Sequence, residues 1–302
     1  MKILITEPIS QEGKEIFEKE GFEIMEKMNL SKEELKKAIK GTEAIIVRSK
    51  TKIDREIIEA ADRLRVIGRA GIGLDNIDCE AAEEKNIAVL NTPQSPVVSV
   101  AELTLGLILA CARNLKRAIL SLKEGKWEKE KLEGIEIFGK TLGIIGLGRI
   151  GKEVAKRAIS LGMKVVFYDP SVDAFPEARK VNLDTLYSLS DIITIHVPLI
   201  PQTTHLISKE AFSKMKDNVI LINCARGGIV DEEALYTALT DGKVFAAGLD
   251  VFEKEPAVGN KLLGLPNIVA TSHLGSHTKE GQLRVGREIA EKVTKVLKEN
   301  LK

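Results

Sequence analysis

The chain has 302 residues, 44% of them hydrophobic, which is enough for two domains with a core each. Its 45 lysine and arginine residues nearly balance 44 aspartate and glutamate residues, and the formal charge of +1 argues against a nucleic-acid partner. The longest nearly uninterrupted apolar run, Leu103 to Ala112, is about half of the ~20 residues that a bilayer span needs, so no membrane partner is expected.

Short β-rich runs alternate with charged helical patterns in the first part of the chain. Strands are predicted at Lys2–Glu7, Phe22–Glu26, Glu43–Ser49, Arg65–Arg69 and Ile87–Thr92. Helices are predicted at Gln11–Glu20, Ser31–Ile39 and Asp54–Ala61. The second of these helices begins with a capping box formed by Ser31 and Glu34. Such alternation is typical of a βα domain with a parallel sheet.

The pattern breaks near the two prolines of Thr92–Pro96, which suggest a crossing between domains. A long apolar helix is predicted next, from about Val98 to Leu120. A second βα series follows, with strands predicted at Thr141–Gly146, Lys164–Asp169, Asp191–Val197, Asn218–Cys224, Phe245–Val251 and Asn267–Thr271. These nearly continuous apolar runs indicate a sheet covered by helices on both faces, as in a doubly wound nucleotide-binding fold. The segment from about Thr278 to Leu301 predicts one more amphipathic helix.

A G-x-G-x-x-G turn joins the first strand of this second series to a helix. Gly146 permits the tight turn, Gly148 lets the backbone approach a pyrophosphate, and Gly151 allows close helix packing. Twenty-three positions after Gly146 the next strand ends in Asp169, whose carboxylate suits the ribose hydroxyls of NAD and repels the 2′-phosphate of NADP. The motif in this context predicts NAD as the cofactor, although Arg149 could neutralise a phosphate and leaves NADP open.

The other cofactor-binding candidates lie in the first helical turn after the glycine loop or beside a predicted strand end. They are Arg149, Ile150, Pro198, Cys224, Ala225, Asp250 and Gly275.

Three polar residues follow successive predicted strands near the end of the second series. Arg226 offers a permanent fork for a substrate carboxylate, and His273 can exchange a proton near neutral pH. A carboxylate such as Glu255, hydrogen-bonded to a histidine ring, would orient the ring and favour its charged form. Each residue alone is better explained as a surface charge, a cap or a buried ring. Together, at the strand ends of a dinucleotide fold, they predict an active site.

Several motifs carry a family resemblance along nearly the whole chain: Gly68–Asn76, Lys126–Trp127, the glycine loop, Asn223–Asp231, Asp250–Phe252 and His273–Glu280. On these motifs the chain resembles the D-isomer-specific 2-hydroxyacid dehydrogenases, most closely those that act on 3-phospho-D-glycerate. The resemblance implies two Rossmann-like or flavodoxin-like α/β domains with parallel sheets and an active site in the cleft between them. Residues 1–97 plus 278–302 would bind the substrate, and residues 98–277 would bind NAD.

The implied reaction is the NAD-dependent oxidation of 3-phospho-D-glycerate to 3-phosphohydroxypyruvate, the first step of serine synthesis. The implied catalytic set is Arg226, which holds the carboxylate and polarises the carbonyl, with His273 exchanging the hydroxyl proton beside Glu255.

The resemblance also implies a substrate site in the first domain. Arg48 and Arg69 match two arginines that bind the substrate phosphate in related enzymes, and Ser49 adjoins the first of them. Two guanidinium forks from neighbouring strand ends suit a phosphate dianion, although each side chain could instead be an ordinary surface arginine. Backbone N–H groups of Ile72 and Gly73 could bind a carboxylate as an anion nest.

Two other functions remain open. A glyoxylate or hydroxypyruvate reductase of the same family would not need the phosphate site. Arg48 and Arg69 therefore discriminate between this reductase and an enzyme that acts on 3-phospho-D-glycerate. An NAD-sensing corepressor shares the fold and can keep all three reacting groups, but the neutral charge argues against it.

The resemblance implies a homodimer through the Rossmann domain, with Trp127 near the contact, although the charged segment around Trp127 could instead be an exposed loop. The chain ends at Lys302, which leaves no room for the regulatory domain of longer relatives, so feedback by serine through such a domain is not expected. No metal is expected, because no acidic cluster with ligand spacing accompanies His273 and His277. The three cysteines are scattered and predict a reducing, cytoplasmic location.

Overall fold

The computed structural model describes residues 1–299, which form two compact units: residues 1–97 with 276–299, and residues 98–275. The last two positions of the predicted C-terminal helix, 300 and 301, lie outside the described residues. The strands are β1 (Lys2–Ile5), β2 (Glu23–Glu26), β3 (Ala44–Val47), β4 (Val66–Arg69), β5 (Ala88–Asn91), β6 (Thr141–Ile145), β7 (Lys164–Tyr168), β8 (Ala178–Lys180), β9 (Ile192–Ile195), β10 (Val219–Asn223), β11 (Val244–Leu249) and β12 (Ile268–Ala270).

The helices alternate with these strands through most of the chain. They are α1 (Gln11–Lys19), α2 (Lys32–Ala38), α3 (Arg55–Ala60), α4 (Cys79–Glu84), α5 (Val97–Ala112), α6 (Leu115–Lys123), α7 (Arg149–Ser160), α8 (Leu183–Leu189), α9 (Lys209–Lys214), α10 (Glu232–Thr240) and α11 (Lys279–Glu299).

The first unit is built on a parallel sheet with strand order β2-β1-β3-β4-β5. This is the flavodoxin-like order. The second strand is added on one side of β1 and the later strands on the other side, so the strand order switches between β1 and β3. The loops after these two strands therefore leave the sheet towards opposite faces and open a crevice at their carboxyl ends. The predicted capping box is present, since Ser31 and Glu34 each bond the other's backbone N–H at the start of α2.

The C-terminal helix α11 packs against α1 and the sheet of the first unit. Its apolar face buries Val285, Ile289 and Val293, because these residues recur at helical spacing on one side. Glycines allow a very close approach to α1: a Cβ at Gly13 would lie 2.6 Å from the carbonyl oxygen of Gly286. A side chain at either position would push the two helices apart.

The second unit contains a parallel sheet of seven strands in the order β12-β11-β10-β9-β6-β7-β8. The strand order reverses between β6 and β9, which places the ligand-binding crevice of a doubly wound fold beside the glycine loop. The predicted α/β class with two parallel sheets is confirmed. The predicted count of six strands is wrong by one, because β8 is a short edge strand of partly exposed residues with no apolar run.

The predicted single helix from Val98 to Leu120 is also wrong. The structure breaks it into α5 and α6, which are bent by 65° where Asn114 adopts a left-handed conformation with φ 52°. Among residues 1–299 no single helix is long and apolar enough to cross a membrane. The bent pair α5–α6 meets that test only jointly, by length and composition.

Candidate active site

The three predicted reacting groups follow three strands that are neighbours in the second sheet. Arg226 comes after β10, Glu255 after β11 and His273 after β12. Because parallel strands end at the same edge, the fold brings all three residues to one rim of the sheet.

The Glu255 carboxylate contacts the His273 ring directly, with Oε2 lying 2.8 Å from Nδ1. Its other oxygen accepts a hydrogen bond of 3.2 Å from the backbone N–H of Phe252. Burial alone would raise the pKa of Glu255. The hydrogen bond and charge of His273, the Phe252 amide and the charge of Arg226 outweigh that effect and lower the pKa of the carboxyl below its ordinary value. Glu255 is therefore ionised at neutral pH beside Nδ1, which leaves Nε2 as the atom that can exchange a proton.

The loop that carries His273 is fixed by a buried carboxylate beneath it. Asp250 is 1% exposed and accepts the backbone N–H groups of Leu274 at 2.6 Å and Gly275 at 2.7 Å, as well as the Thr271 hydroxyl at 2.6 Å. These bonds hold His273 in a left-handed conformation with φ 57°. Asp250, which was predicted to bind the cofactor, thus sets the position of the loop that carries His273.

The loop that carries Arg226 is held in two ways. The side chain of Asn223 donates to the Arg226 carbonyl at 2.9 Å and accepts the Ala225 N–H at 3.0 Å. Next to it, a Cβ at Gly227 would lie only 1.8 Å from the Phe252 carbonyl oxygen, so the loops after β10 and β11 meet backbone to backbone. The segments that carry Arg226 and Glu255 therefore support each other.

The glycine loop has the shape that a pyrophosphate requires. Gly146 has φ 91°, and a Cβ there would lie 2.6 Å from the His196 carbonyl oxygen. A Cβ at Gly151 would lie 2.2 Å from the Gly146 carbonyl oxygen, so strand and helix touch at this point. Gly148 faces open space and caps α7 without any side-chain hydrogen bond. The first-turn N–H groups of α7, at Arg149 and beyond, are thus available to an anion.

Asp169 lies directly after β7 and is partly exposed. Its Oδ2 accepts the N–H of Leu147 in the glycine loop at 2.7 Å, and its Oδ1 accepts the N–H of Ser171 at 2.7 Å. The carboxylate is therefore positioned beside the loop, where it can meet the ribose of a bound dinucleotide.

The remaining predicted cofactor contacts occupy the same carboxyl edge. Pro198 is exposed after β9, whereas Cys224 and Ala225 are buried after β10. Burial raises the pKa of the Cys224 thiol to about 12, so this residue acts as a small apolar wall rather than a nucleophile. Desolvation lowers the pKa of His196, next to the glycine loop, to about 3, and its ring stays neutral.

The arginines predicted to bind phosphate lie at neighbouring strand ends of the first unit. Arg69 is the last residue of β4 and pairs with Val47 of β3. Arg48 directly follows Val47. Burial lowers the pKa of the Arg48 guanidinium while the charge of Glu7 acts in the opposite direction. Within residues 1–299 the Arg48 side chain makes no hydrogen bond or ion pair, so its partly desolvated charge can accept an anion.

The turn after β4 shapes the surroundings of Arg69. A Cβ at Gly71 would lie 1.5 Å from Nη1 of Arg69, so the guanidinium lies over the bare backbone of that glycine. Ile72 and Gly73 follow in the same turn, and their N–H groups make no hydrogen bond within the described part of the chain. Ser49, the remaining predicted substrate contact, is exposed next to Arg48.

Replacement of Glu255 by glutamine tests the pairing with His273 through pH. Glutamine keeps the size of the side chain but removes the charge that stabilises the imidazolium. We expect the acid limb of the oxidation rate and the alkaline limb of the reduction rate to move to lower pH. The measurement is kcat/KM against pH in both directions.

Glu253→Gln is the matched control, because this exposed carboxylate contacts His205 rather than His273. Limbs that stay in place in Glu255→Gln, or that move to higher pH, would exclude the assigned pairing.

Comparison with known proteins agrees with this geometry. Residues 105–275 match the NAD-binding domain of the D-isomer specific 2-hydroxyacid dehydrogenases. A hydroxypyruvate reductase of Thermotoga maritima is 52% identical over 98% of both chains. The chain belongs to the D-isomer-specific 2-hydroxyacid dehydrogenase family. It is therefore an NAD-dependent dehydrogenase, which confirms the predicted cofactor and enzyme class.

Two further similar proteins extend the comparison. A D-3-phosphoglycerate dehydrogenase of Methanocaldococcus jannaschii is 49% identical over 100% of this chain, which spans 58% of the relative's length. The crystal structure of the TT0316 protein of Thermus thermophilus superposes with a TM-score of 0.93 at 36% identity and covers 99% of this chain and 97% of its own.

Proposed function

We propose that this enzyme oxidises 3-phospho-D-glycerate to 3-phosphohydroxypyruvate with NAD, and so commits carbon to serine synthesis. The observation that carries the proposal is the pair Arg48 and Arg69 at adjacent strand ends, with the Arg48 charge partly desolvated and available to an anion. The D-3-phosphoglycerate dehydrogenase relative supports the same substrate.

In the proposed reaction Arg226 holds the substrate carboxylate and polarises the C2 oxygen. Nε2 of His273 accepts the hydroxyl proton during oxidation and returns it during reduction, while Glu255 at Nδ1 stabilises the charged ring. NAD supplies the hydride acceptor. The substrate-binding role of the first unit and the NAD-binding role of the second follow from this assignment, with Ile72, Gly73 and Ser49 as further substrate contacts.

A second candidate is the reduction of hydroxypyruvate or glyoxylate. The hydroxypyruvate reductase of Thermotoga maritima favours it, because that relative is matched over 98% of its length. The two candidates share every reacting group of the second unit and differ in whether the substrate carries a phosphate. The arginines of the first unit therefore decide between them.

We also propose a homodimer formed through the NAD-binding unit, in the cytoplasm. Apolar side chains stand exposed on and after α6, including Ile119 at 53%, Leu122 at 58% and Trp127 at 84%. Exposed large apolar side chains grouped in one segment of the chain support a protein interface there. The three cysteines are free thiols, as in a reducing compartment.

Replacement of Arg69 by alanine separates the two candidate reactions. A lost charge-assisted bond to phosphate is worth ~1.5 to 3 kcal/mol, so kcat/KM for 3-phosphoglycerate should fall roughly ten- to a hundredfold. Reduction of glyoxylate should hardly change, because glyoxylate has no phosphate. Initial rates with both substrates provide the measurement.

Arg63→Ala is the control, since this exposed arginine lies before the opposite end of β4. Equal losses on both substrates in Arg69→Ala would assign Arg69 to the fold or the carboxylate and would favour the generic reductase.

Replacement of Asp169 tests the cofactor preference. Asp169→Ser should weaken NAD roughly tenfold or more through the lost charge-assisted bonds and should relax the exclusion of NADP, because repulsion of the 2′-phosphate disappears. Asp169→Asn keeps an acceptor for the Leu147 N–H and should relax the exclusion as well. Cofactor titrations measure both effects, and equal use of NAD and NADP by the unmodified protein would contradict the assignment.

A further inference from the structure

The crevice of the first sheet is bridged by a buried carboxylate that the proposed reaction does not use. Glu7 follows β1 and is 8% exposed. The loop 48–51, which follows β3, carries Arg48. Since the strand order reverses between β1 and β3, Glu7 lies at the position where open α/β sheets bind ligands.

Glu7 binds the backbone of loop 48–51 through several short contacts. Its Oε1 accepts the N–H groups of Arg48 at 2.9 Å, Lys50 at 3.1 Å and Thr51 at 2.8 Å. Three converging amides stabilise a carboxylate, which is costly to bury otherwise. The Glu7 carboxylate, which lies beside the candidate phosphate site, is thus bound by the backbone N–H groups of loop 48–51.

The opposite side of the same loop is held by an amide. Nδ2 of Asn76 donates to the carbonyl oxygens of Arg48 at 2.8 Å and Thr51 at 2.6 Å. The Thr6 hydroxyl adds a contact of 3.0 Å to the Thr51 hydroxyl. Every polar backbone group of Arg48 therefore has a partner outside its own loop, which leaves the side chain as the group that can respond to a ligand.

We infer that Glu7 is a positioning residue that fixes loop 48–51 and so places the Arg48 guanidinium for binding the substrate phosphate. The inference rests on the proposed function. It differs from a merely structural role in one respect: the loss of Glu7 acts through Arg48 and is selective for the phosphorylated substrate.

The test compares 3-phosphoglycerate with D-glycerate, which lacks only the phosphate, in Glu7→Ala, Arg48→Ala and the double variant. Glu7→Ala should lower kcat/KM for 3-phosphoglycerate about tenfold, mainly through KM, and change D-glycerate less than threefold. In the Arg48→Ala background the same substitution should add less than a twofold effect, because the group that it positions is gone. Glu18→Ala, an exposed acid on α1, is the matched control and should match the unmodified enzyme.

Glu7→Gln separates hydrogen bonding from charge and keeps the size of the buried side chain. It keeps one acceptor oxygen for the three amides, so it should restore the preference for 3-phosphoglycerate to within about threefold of the unmodified enzyme. A fall that is equal for both substrates, a full additional loss in the Arg48→Ala background, or a glutamine variant as impaired as alanine would overturn the inference. If the unmodified enzyme does not oxidise 3-phosphoglycerate, both the proposed function and the inference about Glu7 fail. If it does but these variants show no coupling, the inference alone fails.

Discussion

Replacement of His273 should lower kcat by ~10² to 10⁴-fold while leaving NAD affinity nearly intact, because the proposed mechanism assigns the proton exchange to this ring and the cofactor to the glycine loop. His273→Asn is the informative variant. His273 has φ 57°, and asparagine tolerates this left-handed conformation better than alanine does, so the loop over Asp250 is preserved. The measurement is single-turnover NADH formation together with a cofactor titration.

His277→Asn is the control, since this exposed histidine lies four residues further along the chain. An unchanged rate of hydride transfer in His273→Asn would remove His273 from the mechanism. Weakened NAD binding with normal chemistry would assign the residue to the cofactor site instead.

Replacement of Arg226 by alanine should reduce kcat/KM roughly 10² to 10³-fold with every 2-hydroxy acid, phosphorylated or not. The guanidinium is assigned both to the substrate carboxylate and to the C2 oxygen, and the loss of one donor to a developing charge has an effect of this size. The substitution removes the bond of 2.7 Å that Nη1 of Arg226 donates to the Ala225 carbonyl, but the loop should survive, because Asn223 still binds the backbone of residues 225 and 226.

Arg226→Lys keeps the charge but not the two-pronged geometry and should recover only part of the activity. Added guanidinium ion should raise the rate of Arg226→Ala. A loss confined to 3-phosphoglycerate would place Arg226 at the phosphate rather than the carboxylate and would contradict the assigned role.

The sequence predicted the elements that its local patterns encode. Apolar runs marked the long strands of both sheets, and Ser31 with Glu34 marked the start of α2 because a capping box involves residues three positions apart. The break at Asn114 could not be predicted, since the apolar pattern continues through it and one left-handed residue redirects the helix. The short strand β8 could not be predicted either, because it contains no apolar run.

The candidate site likewise has residues that the sequence predicted and supporting contacts that it did not. Motifs pointed to Arg226, Glu255 and His273, and the strand order explains why they share one edge. The contacts that hold them in place join residues far apart in sequence, such as Gly227 with Phe252 and Glu7 with loop 48–51. A buried glutamate beside a backbone turn has no sequence motif, so its role emerges only from the folded chain.

The preference of the unmodified enzyme between 3-phosphoglycerate and D-glycerate tests the central claim most directly. Both substrates present the same carboxylate and hydroxyl to Arg226 and His273 and differ only in the phosphate assigned to Arg48 and Arg69. Initial rates of NADH formation should give a kcat/KM for 3-phosphoglycerate that exceeds that for D-glycerate at least a hundredfold, as expected from two charge-assisted contacts of ~1.5 to 3 kcal/mol each. Equal values, or a preference for D-glycerate, would contradict the phosphate assignment and leave a reductase of unphosphorylated 2-oxo acids.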